Sequence, residues 1–163
     1  KDRIVNRGDA ACPAMILYHM NMGYPLLSEN AKLYVPSSSV TPRNERAAEG
    51  MDSWQQMIPP QAQFEEQCYF HQFEKNGVAG IYNPDIHQGL VISFDADNLN
   101  YFTEWKMMGE RDYVLGLEPG NCHPDGRDKM REEGKLTILQ PGKSATYEVN
   151  VKMINEEEWR KLC

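Results

Sequence analysis

Tyr147-Glu148-Val149-Asn150-Val151-Lys152-Met153 alternates apolar and polar side chains at every step. A period of two is the pattern of a strand with one face on a core and the other toward water. Segments of similar character recur back along the chain. Residues 14–22 are apolar and aromatic, and 32–35 form a short candidate strand that runs into Pro36. Further candidates are residues 67–73, 78–82, 90–94, 101–108, 113–117 and 135–139. Asn76-Gly77, between two of these, predicts a tight hairpin turn. Helix signals are few. Residues 45–54 read as a short helix or a loop, and 155–162 as an exposed terminal turn with Asn155 as its N-cap. Many short strands separated by turns predict an all-β protein, an antiparallel β-sandwich or barrel. Residues 36–60 are rich in Pro, Ser, Arg and Gln, and a loop of that length is usually functional, for example the rim of a cleft.

Composition narrows the function. The chain has 163 residues, enough for one domain with a real core. Its formal net charge is -7, which argues against nucleic acid or an anionic membrane surface as partner, since both select clustered Lys and Arg. No apolar run approaches the roughly 20 residues needed to cross a bilayer. The four cysteines, Cys12, Cys68, Cys122 and Cys163, are widely spaced, with no CxxC pair. That spacing predicts reduced thiols and a cytoplasmic protein. Ile4-Val5 reads as the tail of a strand with no turn before it, as in a chain that begins inside a domain.

Two segments carry the candidate chemistry. In Leu17-Tyr18-His19-Met20-Asn21-Met22-Gly23, His19 and Asn21 stand two apart on a strand and so share a face. Apolar neighbours there can tune a histidine's proton affinity. In Gly116-Leu117-Glu118-Pro119-Gly120-Asn121 a carboxylate follows an apolar strand, and Pro-Gly predicts a turn directly after it, which would place Glu118 at a strand end.

These segments, with Gly126-Arg127, Arg131-Glu132 and Leu139-Gln140-Pro141-Gly142-Lys143, resemble the aldose 1-epimerase family of the galactose-mutarotase-like superfamily. The closest likeness is to its branch described as a domain of unknown function. The resemblance spans residues 15–153. It implies a galactose-mutarotase-like supersandwich, of which residues 1–163 would be the C-terminal part and therefore incomplete. In that family a His-x-x-x-Asn-type strand supplies the general acid, a Leu-Glu-Pro segment the general base, and a Leu-x-Pro-Gly turn precedes the final strand. Carried over, His19 resembles the acid and Glu118 the base, with Asn21, Trp105, Lys106, Asn121 and Arg127 lining the sugar site. The family's sugar-contacting aspartate has its nearest equivalent around Glu66-Gln67. Family members are about twice as long, and the arginine and second histidine contributed by their N-terminal half have no counterpart here.

The expected function is interconversion of sugar anomers by acid–base ring opening and closure, with no cofactor and no metal. The functional groups of His19 and Glu118 are expected about 5–10 Å apart, facing each other across one sugar. Two alternatives stand beside it: a carbohydrate-binding module without turnover, and an aldose–ketose isomerase on the same fold. The partner is a small sugar, and an open sheet edge would allow a homodimer. Trp105 fits a core role as well as a sugar platform. Arg127 and Arg131 fit a solvated or loop-pinning role, as do Arg43 and Arg46. His71, His87 and His123 match no metal-ligand spacing.

Overall fold

Residues Lys1–Cys163 are described by a computed structural model. Thirteen strands follow one another as β1 (Asp2–Val5), β2 (Cys12–Pro13), β3 (Met20–Met22), β4 (Lys32–Tyr34), β5 (Ser39–Pro42), β6 (Gln67–Gln72), β7 (Asn76–Asn83), β8 (Gln88–Asp95), β9 (Tyr101–Met108), β10 (Tyr113–Gly120), β11 (Ile138–Leu139), β12 (Ser144–Tyr147) and β13 (Val149–Ile154). Helices are short: α1 (Glu45–Ala48), α2 (Arg127–Glu132), α3 (Glu156–Leu162) and a 3-10 turn at Met51–Ser53.

Two antiparallel sheets face each other. One has five strands in the order β3-β10-β9-β6-β5, the other four in the order β13-β8-β7-β4. This is the antiparallel β-sandwich that the alternating segments imply. Two-stranded pairs, β1 with β12 and β11 with β2, complete the set. Between the sheets Phe94 and Phe102 stack with centroids 5.7 Å apart, and Phe73 meets each ring edge-on. Ile81, Ile92, Leu115 and Leu117 are fully buried around them. Each such side chain contributes about 1.5–3 kcal/mol.

Asn76-Gly77 is not a hairpin turn. Both residues open β7, and β6 and β7 belong to different sheets. The glycine answers a packing demand instead: a Cβ there would stand 2.0 Å from Phe94 Cζ. The tight hairpins lie elsewhere, between β7 and β8 at 84–87 and between β9 and β10 at 109–112. Likewise Pro119-Gly120 makes no turn directly after Glu118. Strand β10 runs on through both, with Pro119 opposite Phe102 and Gly120 opposite Tyr101. Glu118 therefore sits inside a strand.

The 147–153 alternation also resolves differently. Glu148 breaks it into the end of β12 and the start of β13. In β13, Val151 pairs with buried Ile92, so the two share the core-facing side, yet Val151 and Met153 are 53% and 55% exposed. Strand β13 is the sheet edge, and its apolar row extends past the cover of the opposite sheet. Of residues 135–139, only Ile138–Leu139 form a strand. Helix α3 begins at Asn155 with a reciprocal capping box to Glu158. Its Trp159 stacks on Tyr82 against the outer side of the four-stranded sheet.

Candidate active site

The alternation of β9 assigns its side chains to two environments. Phe102, Glu104, Lys106 and Met108 are buried toward the core, while Thr103, Trp105 and Met107 line hollows on the outer face. Register extends that outer face across the sheet: Glu118 opposes Thr103, Gly116 opposes Trp105 and Asn21, and Cys68 opposes Trp105.

Strand β3 pairs with β10 through Leu117 and Met20. One step further along this register, His19 meets Glu118 as a cross-strand neighbour, which is how residues so far apart in sequence come together. His19 Nε2 lies 3.0 Å from Glu118 Oε1, with the histidine side chain 49% exposed and the glutamate side chain 2%. The two side chains expected as acid and base are therefore side by side, not separated by the sugar-wide gap of about 5–10 Å that facing groups would need. Burial raises the Glu118 carboxyl from an ordinary value of 4.5 to about 7.

Gly116 makes this placement possible. A Cβ at Gly116 would stand 2.3 Å from Glu118 Oε1 and 3.1 Å from Trp105 Cβ. The carboxylate lies across the bare glycine backbone. A glycine inside a strand is the available sequence signal for such close approach, and it sits two residues before Glu118.

His19, Arg43, Glu66, Cys68, Thr103, Trp105, Glu118 and Pro124 enclose a cleft of about 260 Å³. The Trp105 ring stands edge-on to His19, with centroids 5.7 Å apart, and its Nε1 donates to Glu66 Oε2 at 2.6 Å. Arg43 donates from Nε and Nη2 to Asp125 Oδ1, both at 3.0 Å. Asp125 comes from the loop that follows β10, where His123 packs on Phe70 and Tyr101. Burial pushes the Cys68 thiol up to about 11, so it is a neutral wall group and no nucleophile.

Several residues expected in the site are elsewhere. Lys106 points into the core and donates to the carbonyls of Ser53, Trp54 and Gln56. As the strand neighbour of Trp105, it cannot share that residue's face. Asn121 is buried and fully engaged, donating to Ala14 O and Tyr147 Oη while its Oδ1 accepts from Ile16 N. Arg127 is exposed on α2, outside the cleft; the nearby residue that reaches it is Pro124. Asn21 lines an adjoining hollow that shares Trp105 and Glu66 with the cleft. Of Glu66-Gln67, the glutamate lines the cleft and the glutamine is buried. Arg43, within the long loop region, reaches the cleft, whereas Arg46 pairs with Glu49.

Residues 1–153 match the family described as a domain of unknown function, DUF4432, and the chain belongs to that family. None of the curated proteins matches it. Among solved structures it is similar to a "putative aldose 1-epimerase" from Klebsiella pneumoniae, with 28% identity and a TM-score of 0.91, over 98% of this chain and 43% of that one. It also resembles the Slr1438 protein of Synechocystis, with 20% identity and a TM-score of 0.66, over 94% of this chain and 49% of that one. A third match is a TPR-domain containing protein from Parabacteroides distasonis, at 14% identity and a TM-score of 0.60, over 93% of this chain and 26% of that one. The last two establish the fold alone. The fold is aldose-epimerase-like, and the chain spans less than half the length of each of these proteins.

Proposed function

We propose that this chain carries the acid–base centre of a carbohydrate isomerase that interconverts sugar anomers. The observation that supports this best is the contact between His19 Nε2 and Glu118 Oε1 at 3.0 Å, at the floor of an open cleft. The likeness to a protein described as a "putative aldose 1-epimerase" supports the same reading.

The chemistry follows from the substrate. A cyclic hemiacetal has two oxygens on one carbon, the ring oxygen and the anomeric hydroxyl. Because these are geminal, an acid and a base standing side by side can engage both at once. Ionised Glu118 takes the hydroxyl proton. The electron pair left on that oxygen forms the aldehyde, and the bond from the anomeric carbon to the ring oxygen breaks. His19, protonated, gives its proton to the departing ring oxygen. The aldehyde carbon turns, and the reverse steps close the ring on its other face. Proton transfers are the whole reaction, so no cofactor is called for. Each positioned acid or base supplies roughly 10²–10⁴ in rate. Burial helps by matching the Glu118 carboxyl, at about 7, to neutral conditions.

The test is magnetisation exchange between the α and β anomers of glucose and galactose by NMR. Acceleration above the buffer rate that is lost in Glu118→Gln supports the assignment. Equal acceleration by parent and variant removes it.

A further inference from the structure

The cleft at Glu118 does not end at Trp105. A second hollow of about 470 Å³ adjoins it, sharing Trp105 and Glu66 and floored by Val114 and Met107. A third, of about 410 Å³, lies round the end of the sheet beyond Tyr113, where Asp85 of the β7–β8 turn and Tyr24 line it. Strand geometry explains the alignment. Glu118, Gly116 and Val114 follow each other on one face of β10, and the four steps between the first and last cover about 14 Å at about 3.4 Å per residue. A six-membered sugar ring seated over Glu118 leaves most of that run empty. The cleft itself lies below the roughly 300–1,000 Å³ typical of small-molecule sites, whereas the second hollow alone falls within that range.

The lining indicates what the run would take. Trp105 offers aromatic surface beside the second hollow, and Tyr24, 83% exposed, offers it in the third. Trp105 is held by its bond to Glu66, so its ring is fixed before anything binds, while Tyr113, the strand neighbour of Val114, turns its ring to the core side of β10 and donates to Ile58 O at 2.7 Å. The charged groups are Glu66 and Asp112 in the second hollow and Glu29 and Asp85 in the third, with no lysine or arginine in either lining. Arg43, on the wall of the first cleft, is already occupied by Asp125. Carboxylates along a polar groove accept from sugar hydroxyls and repel phosphate or carboxylate groups.

We infer that this groove holds the further residues of a neutral saccharide whose reducing-end ring sits at Glu118, so that the preferred substrate class is a reducing disaccharide or longer chain, taken ahead of a free or phosphorylated monosaccharide. The inference rests on the anomer-exchanging reading of the same site. Aromatic rings stack on the apolar faces of the distal rings, and Asn21 and Asp112 reach their hydroxyls.

Binding and turnover are measured separately, so that the two readings can fail independently. Calorimetric affinities are compared for glucose, glucose 6-phosphate, maltose, cellobiose and lactose, alongside anomer exchange by NMR. At least one disaccharide is expected to bind about tenfold or more tightly than glucose, and glucose 6-phosphate more weakly than glucose. Val114→Trp, which fills the second hollow, should remove the disaccharide preference and leave glucose affinity within about twofold. Tyr24→Ala, at the open end of the groove, should weaken disaccharide binding alone, by roughly threefold. A disaccharide preference without anomer exchange would sink the isomerase reading and leave the groove standing. Equal affinity for glucose and every disaccharide overturns the groove, as does tighter binding of glucose 6-phosphate or an equal loss for all sugars in Val114→Trp. Absence of saccharide binding overturns it as well.

Discussion

The five-stranded sheet carries two glutamate–histidine pairs, one on each of its faces. His19 and Glu118 stand 3.0 Å apart at the floor of a cleft, with the histidine half exposed. His71 and Glu104 stand 3.2 Å apart between the sheets, both fully inaccessible, with Ser37 Oγ 3.0 Å from His71 Nδ1 and Trp54 edge-on to its ring. Burial raises both carboxyls above the ordinary range, with His71 pulling Glu104 back in part. The residue types and spacing are nearly the same. What separates them is access: only the outer pair can meet a molecule from solution. Residue chemistry alone does not make a catalytic site, and the sealed pair is a structural joint that holds the end of the loop at Trp54 against the sheet.

This contrast can be broken by experiment. The largest effect belongs to Glu118→Gln, which keeps shape but cannot accept a proton. Anomer exchange should fall by roughly 10²–10⁴, mostly in kcat, with little change in sugar affinity. Glu104→Ala should do the opposite. It leaves His71 buried without its partner and should cost about 3 kcal/mol of stability in a denaturant titration. The rate per folded molecule should stay within about twofold. A Glu104 variant that melts like the parent but loses exchange would reverse the two assignments.

Gly116→Ala comes next. Its new Cβ collides with the Glu118 carboxylate at 2.3 Å on one side and sits tightly, at 3.1 Å, against Trp105 Cβ on the other. A displacement of about 1 Å at a reacting group can cost about 10²-fold, so a loss of that order is expected. The same substitution in a Glu118→Gln background should cost much less, because the group it displaces no longer works.

The smallest effect is a pH dependence. Glu118 must be ionised to act as base, so kcat/KM should rise with pH through about 7. Stability runs the other way. The folded value lies above the unfolded one, so the folded state binds the proton more tightly. The contribution is fully present below about 4.5 and is lost as pH rises through about 7. Compared with Glu118→Gln, the parent's melting temperature should therefore fall between pH 5 and pH 8. Parallel melting curves over that interval would show that Glu118 is not held protonated by burial.

Much of this fold was legible because strand periodicity is local. The alternation at residues 147–153 follows from the pleat, whatever those strands pack against. The misreadings came from distant causes. Asn76-Gly77 has the composition of a turn, yet Gly77 is there because Phe94, from the neighbouring strand, fills the space of its side chain. Val151 and Met153 have the pattern of a buried face, but burial depends on cover from the opposing sheet, which these two edge-strand residues lack although Val149 has it. In the site, His19 and Glu118 were readable from their segments together with the family resemblance. Lys106 could have been struck out from sequence alone, since adjacent residues on a strand cannot share Trp105's face. Asn121 could not, because its partners Ala14, Ile16 and Tyr147 are distant in the chain. The His71–Glu104 pair left no mark in sequence for the same reason.

Lys106 also has a consequence for chemical labelling. Its ammonium spends its hydrogens on three backbone carbonyls and is almost inaccessible. Burial lowers its proton affinity, which would ordinarily make an amine a better nucleophile, but no reagent can reach it while residues 53–56 stay in place. An amine-directed acylating reagent should modify exposed lysines such as Lys1 and Lys152 quickly and Lys106 only when that loop opens. The slow arrival of the label at this one position would then serve as a clock for loop opening, timed by mass spectrometry of the peptide that contains it.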